Sequence, residues 1–183
     1  MVEKNALAGA FELLFVDETT LSLHPPLHKA WMQRGQPKRI QTPGLQRWHH
    51  VFGAYNWRTD AISWTTAPRK NSESFVMFLD HLLTHCYPSQ KVILVMDNAT
   101  YHRSAATCAA LSLFDDRVHV LWLPAYCPFL NPIERFWLHL KRLACANKLY
   151  TSLQHLVDRV ESTLTHQNQL SHPYRFTFAK TFD

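Results

Sequence analysis

The sequence contains no run of about 18 apolar residues, the length needed for a membrane-spanning helix, so such a span is excluded. It also lacks any C-x-x-C pair. Cys86, Cys108, Cys127 and Cys145 lie far apart, which argues against a structural zinc site and for reduced thiols in a cytosolic protein. Residues 1–9 lack the basic-then-apolar layout of a secretory signal, in keeping with a cytoplasmic location. No internal repeat or low-complexity segment occurs. Charge is sparse, at 18% of residues against 46% hydrophobic, the balance of an ordinary globular protein. The 183 residues suffice for one domain with a substantial core, and two domains would be crowded. A net charge of +5 and a pI of about 9.1 permit a polyanionic partner without demanding one.

Strand and helix patterns alternate along the chain. Residues 11–16 form a short apolar run of strand formers ending at Asp17. Residues 24–46, with four prolines and two glycines, read as a long loop or irregular hairpin. Two strands are expected at 48–55 and 61–66. Asn71 and Ser72 offer caps for a helix carrying Phe75, Phe78, Leu79, Leu82 and Leu83. A buried strand at 91–96 ends at Asp97, and a helix over 103–114 precedes a strand at 118–123. Pro124, Pro128 and Pro132 frame a stiff loop. The following helix carries Ile133, Trp137, Leu140 and Ala144 as its apolar stripe, and a last helix carries Leu153, Leu156, Val157, Val160 and Leu164. The order predicts an α/β domain with a mixed five-stranded sheet and helices on both faces. Ligand sites in such folds gather at the carboxyl ends of strands.

Three acids occupy such positions. Asp17 and Asp97 end strands, and Glu134 opens the helix after the proline-rich loop. Ends of neighbouring strands lie roughly 5 Å apart, and a helix entering over that edge can aim a glutamate at the same point. Three carboxylates in one small volume repel one another unless a cation intervenes. Their oxygens suit magnesium or manganese, and two such ions about 4 Å apart can activate an attacking oxygen and stabilise a leaving one at a phosphodiester. Each acid also has a local explanation. Asp17 fits a strand-end turn and Asp97 an Asx-turn. Asn131, Pro132, Ile133 and Glu134 fit N-cap, N1, N2 and N3 of a capping box.

The segments around Asp17 (Leu14, Phe15, Val16, Glu18), around Asp97 (Val95, Met96, Asn98, Ala99, Thr100, Tyr101, His102) and from Leu123 to Trp137 together resemble one family. They are similar to the catalytic domain of DDE transposases in the mariner superfamily, in its bacterial insertion-sequence branch, the IS630 group. The 36 residues between Asp97 and Glu134 suit that family's spacing, and residues 31–35 and 51–54 resemble its intervening stretches. The resemblance covers roughly residues 11–165. It implies an RNase H-like fold and a metal site of Asp17, Asp97 and Glu134 taking Mg2+ or Mn2+, two ions with DNA bound. It further implies cleavage at transposon ends by activated water and attack of the freed 3′-hydroxyl on target DNA. The implied partners are double-stranded DNA and a second copy of the chain in the active complex, on a bacterial nucleoid. Cys127 stands where the family commonly has serine. The family's helix-turn-helix modules for end recognition have no counterpart in the 16 residues before Asp17. An excised domain, a split-frame product or a truncated copy is therefore expected, as one RNase H-like domain over 1–183 with a tail from 167. An inactive or domesticated DNA-binding remnant, or another RNase H-like nuclease, stands as the alternative.

Further residues take supporting roles in this reading. His102, which matches the family pattern, contacts phosphate, steadies the acids or serves the structure alone. Asn131 supports the loop. Glu18 ranks below Asp17 as a ligand, because strand alternation points it to the other side. Arg34, Lys38, Arg39 and Arg47 in the long loop, Arg69 and Lys70 before a helix, and Lys141 two turns after Glu134 are candidate phosphate contacts, giving salt-sensitive, sequence-independent binding as a group. His24, His28, His49 and His50 lack convincing ligand spacing.

Overall fold

The computed structural model describes residues 10–24, 26, 29, 34, 44, 46–124 and 127–170. Five strands form one sheet: β1 (Glu12–Ser22), β2 (Trp48–Asn56), β3 (Ile62–Ala67), β4 (Val92–Met96) and β5 (Val118–Trp122), in the order β3-β2-β1-β4-β5. The early strands form antiparallel pairs, β1 with β2 and β2 with β3. Strands reached through helical crossovers pair in parallel, β1 with β4 and β4 with β5. This is the mixed sheet expected from the element order.

Alternation along the strands divides the core in two. Leu13, Phe15, Val51, Tyr55, Ile93 and Val95 face one side. There they pack against two helices, α3 (Ile133–Ala144) and α4 (Leu153–Gln169), through Phe136, Trp137, Leu140, Leu156, Val160 and Leu164. Leu14, Val16, Phe52, Ala54, Leu94 and Met96 face the other side. They meet α1 (Ser72–His81), which brings Phe75, Phe78 and Leu79 and continues as a π-helical turn over Leu82–Cys86. The short α2 (Ala105–Ser112) lies on this side as well, against α1.

The caps explain where helices begin. Asn71 accepts a hydrogen bond from the Ser74 amide at the start of α1, and Ser104 accepts one from Thr107 at the start of α2. The Ser104 cap makes α2 shorter than the expected 103–114. The last helix continues through buried Gln167 to Gln169, into the stretch expected as a tail. Residues 171–183 lie outside the described residues.

One expectation is corrected at the site itself. Asp17 does not end its strand, because β1 runs on to Ser22. Pairing with β4 stops at Phe15, but pairing with β2 continues through every residue from Leu14 to Ser22. The hairpin ladder keeps the chain extended past the point where the parallel neighbour ends.

Arg117, just before β5, ties the far end of the sheet to the π-helical turn. Its guanidinium donates to the Leu83, Tyr87 and Gln90 carbonyls at 2.7, 2.8 and 3.2 Å. Charge-assisted hydrogen bonds of this kind hold carbonyls that a helix end leaves unsatisfied. Arg117→Met is expected to lower unfolding free energy by about 2 kcal/mol, measured in urea at neutral pH.

Candidate metal centre

The three acids come from three elements that meet at one end of the sheet. Asp17 lies two residues beyond the last β1–β4 pair, Phe15 with Val95, and Asp97 directly follows β4, so the two lie side by side. Asp17 shares the face of Leu13 and Phe15, beneath α3, and α3 carries Glu134 in its first turn.

Their electrostatics differ. Burial pushes the Asp17 carboxyl up to about 8, and the neighbouring charges of Glu18, Glu134 and Asp97 add to the rise. Burial also raises Glu134, helped by Glu18 and Asp97 and opposed by Lys141. Asp97 moves the other way, held below the usual range chiefly by the His102 hydrogen bond and also by the Ala99 amide. His102 Nδ1 lies 2.8 Å from Asp97 Oδ1 and the Ala99 amide donates to the same oxygen at 3.0 Å. The Asx-turn expected at Asp97 is therefore real and coexists with its place in the acid group.

Chemically the group suits a hard divalent cation: the donors are all oxygen, and their mutual repulsion is what such a cation would relieve. The acids are not drawn into a closed cage. Among the described residues, no three His, Cys, Asp or Glu side chains are grouped closely enough to hold an ion.

The capping-box reading of Glu134 is corrected. Pro132 occupies the N-cap of α3 and makes no side-chain cap hydrogen bond. Asn131 is buried and donates from Nδ2 to the Val16 carbonyl at 3.2 Å, pinning the loop to β1 beside Asp17. That long-range use of its amide leaves only a stretched 3.4 Å contact from the Ile133 amide to Oδ1.

His102 is fully buried, against the Phe75 ring at 4.3 Å between centroids. Its nitrogens face Asp97 and Glu18, so contact with a phosphate is excluded and support of the acids fits. Burial works against its charge, but the two carboxylates outweigh it and push the imidazole up to about 9. Glu18 lies on the opposite face from Asp17, paired with Lys70 and His102. Lys70 pairs with the Glu18 carboxylate and sits 5.6 Å from the Tyr101 ring centre, with its side chain part-exposed. Arg47 and Arg69 are exposed at the sheet end that carries Asp17, next to the starts of β2 and α1. Lys141 acts on Glu134 from further along α3. Arg34 is exposed, while Lys38 and Arg39 lie outside the described residues.

Two residues of the site escape a reading of the sequence. Trp137 is expected only as core, yet its indole Nε1 donates to Asp17 Oδ2 at 3.1 Å. Gly53, the cross-strand partner of Asp17, lies directly under that indole. The available signal was a tryptophan one helical turn after the glutamate, a spacing that puts both on adjoining parts of one helix face.

A family model described as DDE superfamily endonuclease matches residues 12–157. The insertion element IS630 39 kDa protein of Shigella sonnei is 28% identical over 148 residues, 81% of this chain and 43% of that protein. The Mos1 transposase paired-end complex with left transposon end superposes with a TM-score of 0.68 at 17% identity, covering 90% of this chain and 51% of that one. The mariner Mos1 paired end complex with Mg gives 0.65 at 18% identity, over 85% and 48% of the two chains. The chain thus spans about half the length of these relatives or less. The structural likeness identifies the sheet and its two helical layers as the RNase H-like fold.

The raised Asp17 carboxyl makes the metal-free protein pH-sensitive. The folded form binds a proton between the ordinary value of 3.8 and about 8 that the unfolded chain has released, so stability falls as pH rises across that window. Asp17→Asn removes this loss while keeping an acceptor for Trp137. Its melting temperature in EDTA is expected to match wild type near pH 4 and to exceed it by roughly 5 °C or more at pH 8.5, as checked by calorimetry.

Proposed function

Since the chain belongs to the DDE superfamily of endonucleases, we propose that it is the catalytic domain of an insertion-element transposase, with Asp17, Asp97 and Glu134 holding divalent metal at a DNA phosphodiester. What supports this reading is that β1, the segment after β4 and α3 bring three carboxylates to one sheet end, near enough that the charges of Glu134 and Asp97 help to raise Asp17. The likeness to an insertion-element protein and to transposase complexes with transposon ends and with Mg supports it.

When bound, two magnesium or manganese ions supply Lewis-acid activation of an attacking oxygen and charge stabilisation of the leaving one. Asp17, on β1, and Asp97, just past the end of the adjacent strand β4, provide one side of the site. Glu134 provides the third carboxylate from the more exposed helix start, where DNA approaches. Water attacks phosphorus at a transposon end, the P–O3′ bond breaks, and a 3′-hydroxyl is released. That hydroxyl then attacks a target phosphodiester, forming one P–O bond as another breaks, so no protein nucleophile is required. Arg34, Arg47, Arg69 and Lys141 contact the phosphate backbone without reading sequence. The active complex contains two copies of the chain and acts in the cytoplasm at the nucleoid. Among the described residues no helix is long and apolar enough to cross a membrane.

The test is strand cleavage and strand transfer with a pre-cut duplex oligonucleotide, with and without magnesium or manganese. Activity is expected only with metal. Glu134→Gln is expected to melt near the wild-type temperature and to lose activity on the order of 100-fold or more. Normal activity of that variant would remove Glu134 from the site, and a metal-bound but inactive wild type would favour the DNA-binding remnant.

DNA affinity should fall steeply with salt. Arg69→Gln and Lys141→Gln are each expected to reduce the slope of log affinity against log salt by about 1, read by fluorescence anisotropy on unrelated duplexes.

A further inference from the structure

Trp137 stands out because its polar atom and its ring edge are both committed. The residue is buried, and its Nε1 donates to Asp17 Oδ2 at 3.1 Å. Along the same edge of the ring, a Cβ built on Gly53 would lie 2.5 Å from Cη2 and 2.8 Å from Cζ2 of the same indole, far inside van der Waals contact. Gly53 is the direct cross-strand neighbour of Asp17. The strand pair therefore presents a gap and a carboxylate side by side, and one indole fills the first while bonding to the second. Only glycine leaves that gap open.

The consequence falls on both partners. An N–H donor on Oδ2 restrains the carboxylate plane and takes one of that oxygen's two lone-pair sites, which favours Oδ1 as the atom that faces a cation. Trp137 also lies one helical turn after Glu134, so seating the indole on β2 and β1 sets how α3 enters the site.

We infer that Trp137 is a positioning residue that presents Asp17 to metal through Oδ1, and that Gly53 is the recess that seats it. This inference rests on the metal-site reading above. Carboxylate ligands are held by such outer hydrogen bonds, and losing one typically weakens metal binding.

The test is Mn2+ titration of the full chain, followed by electron paramagnetic resonance of the free ion, with melting temperature recorded for every protein. Trp137→Phe removes the N–H and the outer ring and is expected to weaken Mn2+ binding about tenfold. Gly53→Ala keeps the N–H but pushes the indole away, and should both weaken binding and lower the melting temperature. In the double variant the added methyl meets no outer ring. Its loss of melting temperature should be smaller than the sum of the two single losses, while Mn2+ binding stays weak. Leu140→Ala, a buried cavity on the same helix, should lower the melting temperature and leave Mn2+ binding within about twofold.

Wild-type Mn2+ affinity in folded Trp137→Phe overturns the inference. If that variant does not fold, Gly53→Ala decides alone: a lowered melting temperature with unchanged Mn2+ affinity overturns it equally. Loss of the positioning role is distinct from failure of the metal site, which would show as equal Mn2+ binding by wild type and Asp17→Asn.

Discussion

Repulsion among carboxylates at one sheet end is the constraint around which the surrounding structure is arranged. The fold meets it unequally. Asp97 is kept ionised by His102 and the Ala99 amide, whereas Asp17, beneath α3 with Glu18 and Glu134 nearby, holds its proton up to about 8. One acid is thus charged over the whole physiological range, while its neighbour keeps its proton over most of it.

The two faces of β1 carry separate parts of this arrangement. Asp17 points to the α3 side, and Glu18, one residue on, points to the α1 side. Glu18 is buried and would be costly there alone, but Lys70 and His102 hold its carboxyl below the usual range despite burial. His102 then reaches Asp97 with its other nitrogen. A charge hidden on one side of the sheet thereby steadies the carboxylate at the neighbouring strand's end. Lys70, which a sequence pattern offers to DNA, is also part of this cluster.

What the sequence disclosed follows from what is local. Apolar periodicity marked all five strands and the main helices, and the acids at Asp97 and Glu134 were legible because each adjoins an element boundary. The mixed pairing followed from the order of strands and helices. The length of β1 was hidden, since its continuation past Asp17 depends on pairing with β2 across a loop of some 25 residues. Asn131 looked like a helix cap because the local pattern fits one, yet its amide is spent on the Val16 carbonyl, 115 residues away in sequence. Trp137 was read as core because helical spacing reports burial and is silent about what an indole N–H meets. In each case the deciding partner is distant along the chain.

Those distant partners converge on three consecutive residues. The loop before α3 is tied to Val16 by Asn131, α3 itself is tied to Asp17 by Trp137, and the segment after β4 is tied to Glu18 through His102. β1 is the central strand, paired along one edge with β2 and along the other with β4. It is therefore the element least free to shift. Glu134 sits on an exposed helix start and Asp97 in a turn, positions that would wander if held only by their own backbones. Referring both to residues 16–18 gives them the precision of the sheet while leaving one side of the site open. The same logic accounts for Gly53 on the adjacent strand: a helix can be registered against a strand through an indole only where the neighbouring strand offers no side chain in the way.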